Sequence, residues 1–238
     1  MGLADLHIHT SYSWDGTATV REVLEQAADR ANLDVIAITD HDDLRGGLEG
    51  RDLAWRYGLE VIPGVEVSSA EGHVLALFVE RPIPAGLSLA ETLLRVGDQG
   101  GLCIAAHPTA RMTSSLSPEA IRSALRQPDL RSVLVGLEVW NAGLVRGGSN
   151  VRAQALASTQ VIAQVGSSDS HLARTIGFAA TQFFGHNALQ LRTALESYAT
   201  QGLMLQRLRI PVLVSGWILR KARMALAGDR RMVSHAAA

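Results

Sequence analysis

The sequence predicts an α/β protein whose strands close into a single barrel. Apolar, strand-like runs alternate with helical patterns along the chain, which is typical of a parallel sheet with right-handed crossovers. Seven or eight such units in 238 residues favour a (β/α) barrel over an open sheet, and the first strand lacks the G-x-G-x-x-G motif of a dinucleotide-binding fold. The predicted strands are Ala4–His7, Asp34–Thr39, Glu60–Val65, His73–Val79, Leu102–Ala106, Val133–Val139, Gln160–Val165 and, as an eighth, Ala180–Phe184.

The predicted helices begin at residues that can cap a helix N-terminus. Glu22 stands three residues after the first of these caps and completes a capping box, and Pro118 occupies the first helical position of another helix. We expect the first helix to end near Ala31, the next to end at Gly58 and the last to reach Gly202. The capping residues are Thr19, Ser88, Ser117 and Asn187.

The composition is that of an ordinary globular protein, with 47% hydrophobic and 19% charged residues. Cys103 is the only cysteine, which excludes an internal disulfide and fits a reducing compartment. The first residues show no signal-peptide pattern, so we expect a cytoplasmic protein without a membrane-spanning segment. Lys221 is the only lysine, and this excludes mechanisms that need a Schiff-base lysine, a P-loop lysine or a carboxylated lysine in the body of the chain.

His7 and His9 stand two residues apart on the first predicted strand. Alternate residues of a strand point to the same face, so both imidazoles project together while Leu6 and Ile8 face the other way. Neutral imidazole is the commonest metal ligand in proteins. Two ordinary polar strand residues would give the same short pattern, so the pair indicates a metal site only in combination with further ligands.

Further polar residues stand at the edges of other predicted strands. Parallel strands of a barrel present their C-terminal ends at one rim, where active sites lie. Clustering so many unpaired polar groups is costly to desolvate, which favours a metal cluster at that rim. His73 begins its strand, so either that strand is antiparallel or His73 is reached by a loop. The residues at the C-terminal ends are Asp40, His41, Asp42, Asp43, Glu66, His107, Asp169 and His171.

The segments DLHIHT, ITDHD, PGVE, GHVLAL, AHP and SSDSH, in this order, resemble the PHP (polymerase and histidinol phosphatase) family of metal-dependent phosphoesterases. The resemblance runs from about Leu3 to Thr175, which is most of the chain. It implies a distorted (β/α)7 barrel with a cluster of two to three divalent metal ions at the C-terminal rim of the strands.

The resemblance also implies which residues hold each ion. The first ion would be bound by His7, His9, Glu66 and Asp169. The second would be bound by Glu66, His73 and His107, with Glu66 bridging both ions. The third would be bound by Asp15, His41 and His171, and some family members have histidine in place of Asp15. Histidine with carboxylate accepts zinc, manganese or iron.

The chemistry that follows needs no protein nucleophile. A water that bridges two metal ions would be deprotonated near neutral pH and could attack phosphorus, which gives the bridging Glu66 a catalytic role. Asp40 would orient a ligand imidazole, or else close an Asx turn at the end of its strand. Arg174 and Arg111 each stand three residues after the nearest ligand-motif residue and would bind the substrate phosphate, or else be solvated surface residues.

The predicted strand in GLEVWN carries one acid among apolar residues. We interpret Glu138 and Trp140 as strand-packing residues, whereas Asn141 stands at the end that could reach the site. His186 and His235 lie outside the ligand pattern and are interpreted as structural or solvated.

Residues 206–238 form a basic, partly apolar segment that follows a domain at 1–205. The segment holds seven basic residues and one acid, a net charge of +6, so the rest of the chain carries −7. Its apolar run IPVLVSGWIL is too short to span a bilayer. Packing on the barrel or a homo-oligomer contact is favoured over an amphipathic segment that touches a membrane or nucleic acid.

Three functions stay open at this point. The favoured one is metal-dependent hydrolysis of small phosphate monoesters, nucleotides included. A 3′-end exonuclease on DNA or RNA is the second, although the −7 charge of the barrel and the 5% aromatic content disfavour long nucleic acid as a partner. A metal-binding domain without turnover is the third, and the complete ligand series disfavours it. The missing lysine counts against an amidohydrolase.

Overall fold

The computed structural model describes residues 1–206, with the exception of residues 30, 112 and 145–147. Its strands are β1 (Gly2–Ile8), β2 (Val35–Ile38), β3 (Glu60–Ser69), β4 (Gly72–Leu77), β5 (Leu102–Ala105), β6 (Leu134–Asn141), β7 (Ala163–Ser167), β8 (Ala179–Phe183) and β9 (Gln201–Met204). They form one sheet in the order β7-β6-β5-β4-β3-β2-β1-β8-β9. Strands β7 and β8, from opposite sides of this order, contact each other. The Thr181 hydroxyl of β8 accepts a hydrogen bond from the Gly166 N–H of β7 and donates one to the Gly166 carbonyl. The sheet is therefore a nearly closed, distorted barrel, as predicted.

Four of the helices begin where the capping pattern predicts. Ser88, Ser117 and Asn187 each accept a hydrogen bond from the backbone N–H three residues on, and Thr19 and Glu22 exchange the bonds of a capping box. The helices are α1 (Val20–Asp29), α2 (Arg45–Leu53), α3 (Leu89–Gly97), α4 (Pro118–Leu125), α5 (Pro128–Arg131), α6 (Gly148–Ala157) and α7 (Ala188–Glu196).

The sheet is mixed rather than wholly parallel. β4 runs antiparallel to β3 and β5, and β8 runs antiparallel to β1 and β9. The prediction that the last helix reaches Gly202 is wrong, because the helix ends at Glu196 and Tyr198 adopts a left-handed conformation with φ of 57°. The chain then continues as β9, which supplies the hydrogen bonds that the edge of β8 needs.

The first strand departs from simple alternation. Leu6 packs inside the barrel, whereas Ile8 packs outward in the cluster that includes α1. The ladder between β1 and β2 is irregular between Asp5 and Ile8, so the expectation that Leu6 and Ile8 share one face is wrong.

Helix α7 covers the end of the barrel at which β3 and β5 begin. The Ala188 N–H donates to the Glu60 carboxylate at the start of β3, and Arg192 donates to the carbonyl of Gly100 just before β5. The opposite end of the barrel carries the histidine and carboxylate side chains described below. None of the helices described is long and apolar enough to cross a membrane. The predicted packing or oligomer contact of 206–238 falls, from residue 207 onward, outside the described residues.

Candidate metal centre

The nine residues assigned as ligands lie together at the open end of the barrel. Their nitrogen and oxygen atoms fall into four overlapping groups, and within each group the atoms lie within 4.8 Å of one another. This is the rim at which most of the ligand-bearing strands end. The groups are His9, Asp15, His41 and His171; His7, His9 and Glu66; His7, His107 and Asp169; and His41, Glu66 and His73.

The deepest part of the centre sets two imidazoles against two carboxylates. His7 Nε2 lies 3.1 Å from Glu66 Oε2, and His9 Nε2 lies 3.2 Å from Asp169 Oδ1. The rings of His7 and His9 are buried, with centroids 4.9 Å apart. The structure thus brings together the four residues expected to hold the first ion.

Glu66 faces two different sets of histidines with its two carboxylate oxygens. Its Oε1 lies 2.8 Å from His73 Nδ1 and 2.9 Å from His107 Nε2. Such a two-sided carboxylate has the geometry of a bridging ligand. Its Oε2 lies 3.1–3.3 Å from nitrogens of His7, His9 and His41.

His73 reaches the centre because β4 runs antiparallel to β3. In this register Ser68 lies opposite His73 and Glu66 lies opposite Leu75. The start of β4 therefore lies at the rim at which β3 ends. Of the two explanations left open for His73, the antiparallel strand is the correct one.

Asp15, His41 and His171 form the solvent-facing part of the centre. Asp15 Oδ2 lies 3.1 Å from His171 Nε2 and 3.5 Å from His41 Nε2. The His9 ring stacks on that of His171 with centroids 4.2 Å apart, which joins this part to the deep one. The side chains of His41 and His171 are 13% and 24% exposed, against 0% for His7, so solvent reaches the centre from this side.

Several buried ligand atoms make no hydrogen bond to any described residue. They include His7 Nε2, His9 Nε2 and Glu66 Oε2. Both nitrogens lie within 3.3 Å of the Glu66 oxygen, but neither pair has the geometry of a hydrogen bond. A buried polar atom without a partner costs about 1–3 kcal/mol. A cation that several lone pairs share removes this cost, so the donor set fits a divalent metal ion.

Charge within the centre keeps its carboxylates ionised. Burial alone would raise the pKa of Glu66, but the charge of His7 and the hydrogen bond from His107 hold that pKa well below its usual range. The charge of His7 likewise outweighs burial and holds the pKa of Asp169 well below its usual range. Burial and the neighbouring His171 lower the pKa of His9 to about 3, so this imidazole is neutral and offers a lone pair.

Two of the ligand residues have strained backbones. His107 and Asp169 adopt left-handed conformations, with φ of 30° and 51°. Such conformations cost a non-glycine residue about 1–3 kcal/mol and persist where the surrounding structure enforces them. Each residue lies two positions after the end of a strand and turns its side chain toward the centre, so these conformations occur where candidate ligands are placed.

The interpretation of Glu138 as a strand-packing residue is wrong. Its buried Oε1 lies 2.9 Å from His7 Nδ1, and its Oε2 accepts hydrogen bonds from the His107 backbone N–H and the Asn141 side chain. Asn141 also donates to Asp169 and so reaches the centre. A lone acid in an otherwise apolar strand is the sequence signal for such a residue, because a buried carboxylate requires donors.

Asp40 lies outside the ligand groups and orders a loop. Its carboxylate accepts hydrogen bonds from the backbone N–H groups of Thr10 and Ser13 and from the Thr10 hydroxyl. Burial raises its pKa to about 6. These contacts differ from the expectation that Asp40 orients an imidazole, because the loop between His9 and Asp15 folds back over the end of β2 and occupies both oxygens.

Arg174 and Arg111 stay predictions as phosphate ligands. Both have exposed side chains, with Arg174 in the short helical turn Ala173–Thr175 that follows His171 and Arg111 in the loop that follows His107.

Trp14 lies at the solvent-facing edge of the centre, and the sequence analysis did not single it out. Its side chain is 55% exposed. The indole lies nearly parallel to the His41 ring, at 21° and with centroids 5.8 Å apart. A large exposed aromatic ring beside ligand residues offers a flat surface to a planar group.

Replacing Asp15 by asparagine is expected to weaken only the solvent-facing group. The substitution removes the charge near His41 and His171 and leaves the two-sided Glu66 intact. We expect loss of up to one equivalent of bound metal and a fall in activity that excess metal partly restores, measured by elemental analysis and by activity against metal concentration. Asp29→Asn, an exposed change on α1, is the matched control. Complete loss of all metal from Asp15→Asn would contradict this separation of groups.

The structure combines a nearly closed mixed barrel with a rim of histidines and carboxylates that could hold metal ions. The sequence matches the PHP domain family over residues 5–209, and the chain belongs to this family.

Three curated relatives each share 39% identity with the matched part of the chain. The longest of these three matches, 149 residues, is to an uncharacterized protein of Methanocaldococcus jannaschii and covers 58% of this chain and 81% of that protein. A phosphoribosyl 1,2-cyclic phosphate 1,2-diphosphodiesterase of Eggerthella lenta matches 39% of this chain and 37% of its own length. A 3′,5′-nucleoside bisphosphate phosphatase of Chromobacterium violaceum matches 36% of this chain and 30% of its own length.

Solved structures share the fold. PsfC from Pseudomonas syringae superposes with a TM-score of 0.67 at 18% identity, over 93% of this chain and 98% of that chain. Endonuclease Q in complex with a 27-mer duplex gives a TM-score of 0.58 at 16% identity, over 85% of this chain and 58% of that chain. At these identities the likeness concerns the fold alone.

Proposed function

We propose that the chain hydrolyses small phosphate monoesters, nucleotides included, with two or three ions of zinc, manganese or iron. The observation that carries the proposal is the two-sided Glu66, whose oxygens face two different sets of histidines. When bound, the ions supply a water activated at neutral pH and neutralise charge on phosphate oxygens.

The protein's own part in the reaction is to place ligands and admit the phosphate. Glu66 and Asp169 stay anionic, and His9 stays neutral, so each presents a lone pair at neutral pH. The Ser13 and Ser115 hydroxyls contact the Nδ1 atoms of His9 and His107. Since the Nε2 atoms of these rings face carboxylates, the two hydroxyls hold the rings in position rather than act as nucleophiles.

Several observations support a small substrate that carries a planar group. Trp14 presents an exposed indole beside His41, and the residues before the basic C-terminal segment carry a net charge of −7, which disfavours long polyanions. Two of the relatives are named for activity on a nucleoside bisphosphate and on a phosphoribosyl cyclic phosphate, both of them small phosphate compounds.

A kinetic comparison of substrates tests the proposal. We expect the full-length protein to give a higher kcat/KM on nucleoside monophosphates than on alkyl phosphates, and the lowest values on long single-stranded oligonucleotides. The same protein, freshly chelated, is the blank for contaminating phosphatases. A kcat/KM on oligonucleotides that exceeds that of every small monoester would contradict the proposal.

A 3′-end nuclease is the second candidate, and the net charge of +6 on residues 206–238 favours it. Binding through phosphate neutralisation weakens steeply as salt rises. The nuclease function would be supported if oligonucleotides were the better substrates and if their kcat/KM fell steeply between low and physiological salt. The kcat/KM of small monoesters should not show this fall.

A further inference from the structure

We propose that Glu138 and Asn141, at the end of β6, are positioning residues that fix the tautomer of His7 and hold His7, His107 and Asp169 in place for metal binding. Glu138 belongs to none of the four ligand groups found among the described residues, yet it contacts members of two of the expected ion sites. Both side chains are fully buried. The inference concerns metal binding and holds whichever phosphate ester is the substrate.

The contacts of Glu138 determine which nitrogen of His7 keeps its proton when a metal ion binds. The Glu138 Oε1 lies 2.9 Å from His7 Nδ1, and a carboxylate can only accept, so this nitrogen must donate. When a metal ion displaces the second proton of His7, the lone pair is therefore left on Nε2, which lies 3.1 Å from Glu66 Oε2 and 3.5 Å from Asp169 Oδ1. This is the tautomer that a metal ligand needs.

Asn141 extends the same arrangement to Asp169. Its Nδ2 donates to Glu138 Oε2 and to Asp169 Oδ2, both at 3.1 Å. The orientation of its amide follows from the Leu144 N–H, which donates to Asn141 Oδ1 at 3.2 Å and leaves Nδ2 to face the carboxylates. With Oδ2 engaged by Asn141, Asp169 turns Oδ1 toward the histidines.

Replacing Glu138 by glutamine is expected to reverse the tautomer of His7. Two donors, the His107 N–H and the Asn141 Nδ2, meet at Oε2, whereas only His7 meets Oε1. The single amide oxygen therefore takes the Oε2 position, and the amide NH2 faces His7 Nδ1. His7 must then accept at Nδ1 and carry its proton on Nε2, where it blocks the metal position.

The test measures zinc binding rather than activity. The full-length, metal-free wild type is titrated with zinc in competition with a chromophoric chelator, and so are the variants Glu138→Gln and Asn141→Ala. In a second measurement, NMR spectra of zinc-loaded, ¹⁵N-histidine-labelled protein show which nitrogen of His7 coordinates zinc. The His7 signals are assigned by comparison with the variant His7→Gln. We expect Glu138→Gln to bind zinc about 10–100-fold more weakly at one site and to lose the Nε2-coordinated signal of His7. We expect Asn141→Ala to weaken zinc binding while keeping that signal.

Thermal unfolding of the metal-free proteins separates this role from a purely structural one. If Glu138→Gln unfolds earlier yet retains wild-type zinc affinity, stoichiometry and His7 coordination, the proposal is overturned. Should Glu138→Gln not fold, Asn141→Ala decides, because unchanged zinc binding by that variant would overturn the role of the pair. Glu25→Gln, an exposed change on α1, is the matched control and should bind zinc as the wild type does.

Discussion

Glu66→Gln is expected to be the most damaging single substitution in the chain, with a loss of more than about 100-fold in kcat/KM. The carboxylate supplies an acceptor to the His73 and His107 side through Oε1 and to the His7 and His9 side through Oε2. Glutamine keeps one oxygen and turns an NH2 group toward the other side. One metal position thereby loses a ligand and faces a donor, so we expect bound metal to fall together with activity.

The measurement combines elemental analysis with steady-state kinetics on the best monoester. Glu25→Gln makes the same chemical change on an exposed helix face and should retain both metal and turnover. If Glu66→Gln retained near wild-type turnover and metal content, the bridging role of Glu66 would be wrong. A loss of turnover with full metal content would place Glu66 in the reaction without a role in holding the ions.

The clustering of most candidate ligands could be predicted from the sequence because barrel topology brings strand ends to one rim. His7, His9, Glu66, His107 and Asp169 stand next to apolar strand runs, and no knowledge of strand order is needed to gather them. The position of His73 could not be predicted in this way. A residue at the start of a strand lies at that rim only if the strand runs antiparallel to its neighbours. The direction of β4 is set by its pairing with β3 and β5, which local sequence does not specify.

The residues that support the ligands were not predictable to the same degree. Glu138 looks like a strand-packing residue until its three partners, which come from β1, the end of β5 and β6 itself, are brought together. Asp40 illustrates the reverse case, because its position beside His41 in sequence suggested contact with an imidazole. The fold instead turns its oxygens toward Thr10 and Ser13. Contacts between distant segments decide both roles.

Buried charge links the metal centre to the stability of the fold. The carboxylates that surround it have lowered pKa values despite burial, and histidines beside them have raised ones. In the metal-free protein the charge of the carboxylates is therefore offset by histidine protons. For His7, the neighbouring Asp169, Glu66 and Glu138 charges outweigh burial and raise the pKa well above its usual range. Metal ions and these protons compete for the same lone pairs.

Removal of metal is expected to abolish hydrolysis and to lower the melting temperature. A ligand that binds only the folded state adds about 2.7 kcal/mol at a free concentration of 100 times its Kd, and this corresponds to a rise in Tm of roughly 5–10 °C for a protein of this size. Dialysis against a chelator, followed by elemental analysis, an activity assay and calorimetry, measures both effects. Full activity and an unchanged Tm in protein shown to be metal-free would contradict the assignment of the centre.

The gap in Tm between metal-loaded and metal-free protein is expected to widen as pH rises from 6 to 9. Histidines whose folded pKa is raised, such as His7 and His107, contribute stability that is fully present below their unfolded pKa of about 6.5 and is lost as pH rises through the folded value. Bound cations replace those protons, so the loaded protein does not lose this contribution. Calorimetry of both forms across the pH range checks this, and a gap that narrows with rising pH would show that histidine protons do not stand in for the ions.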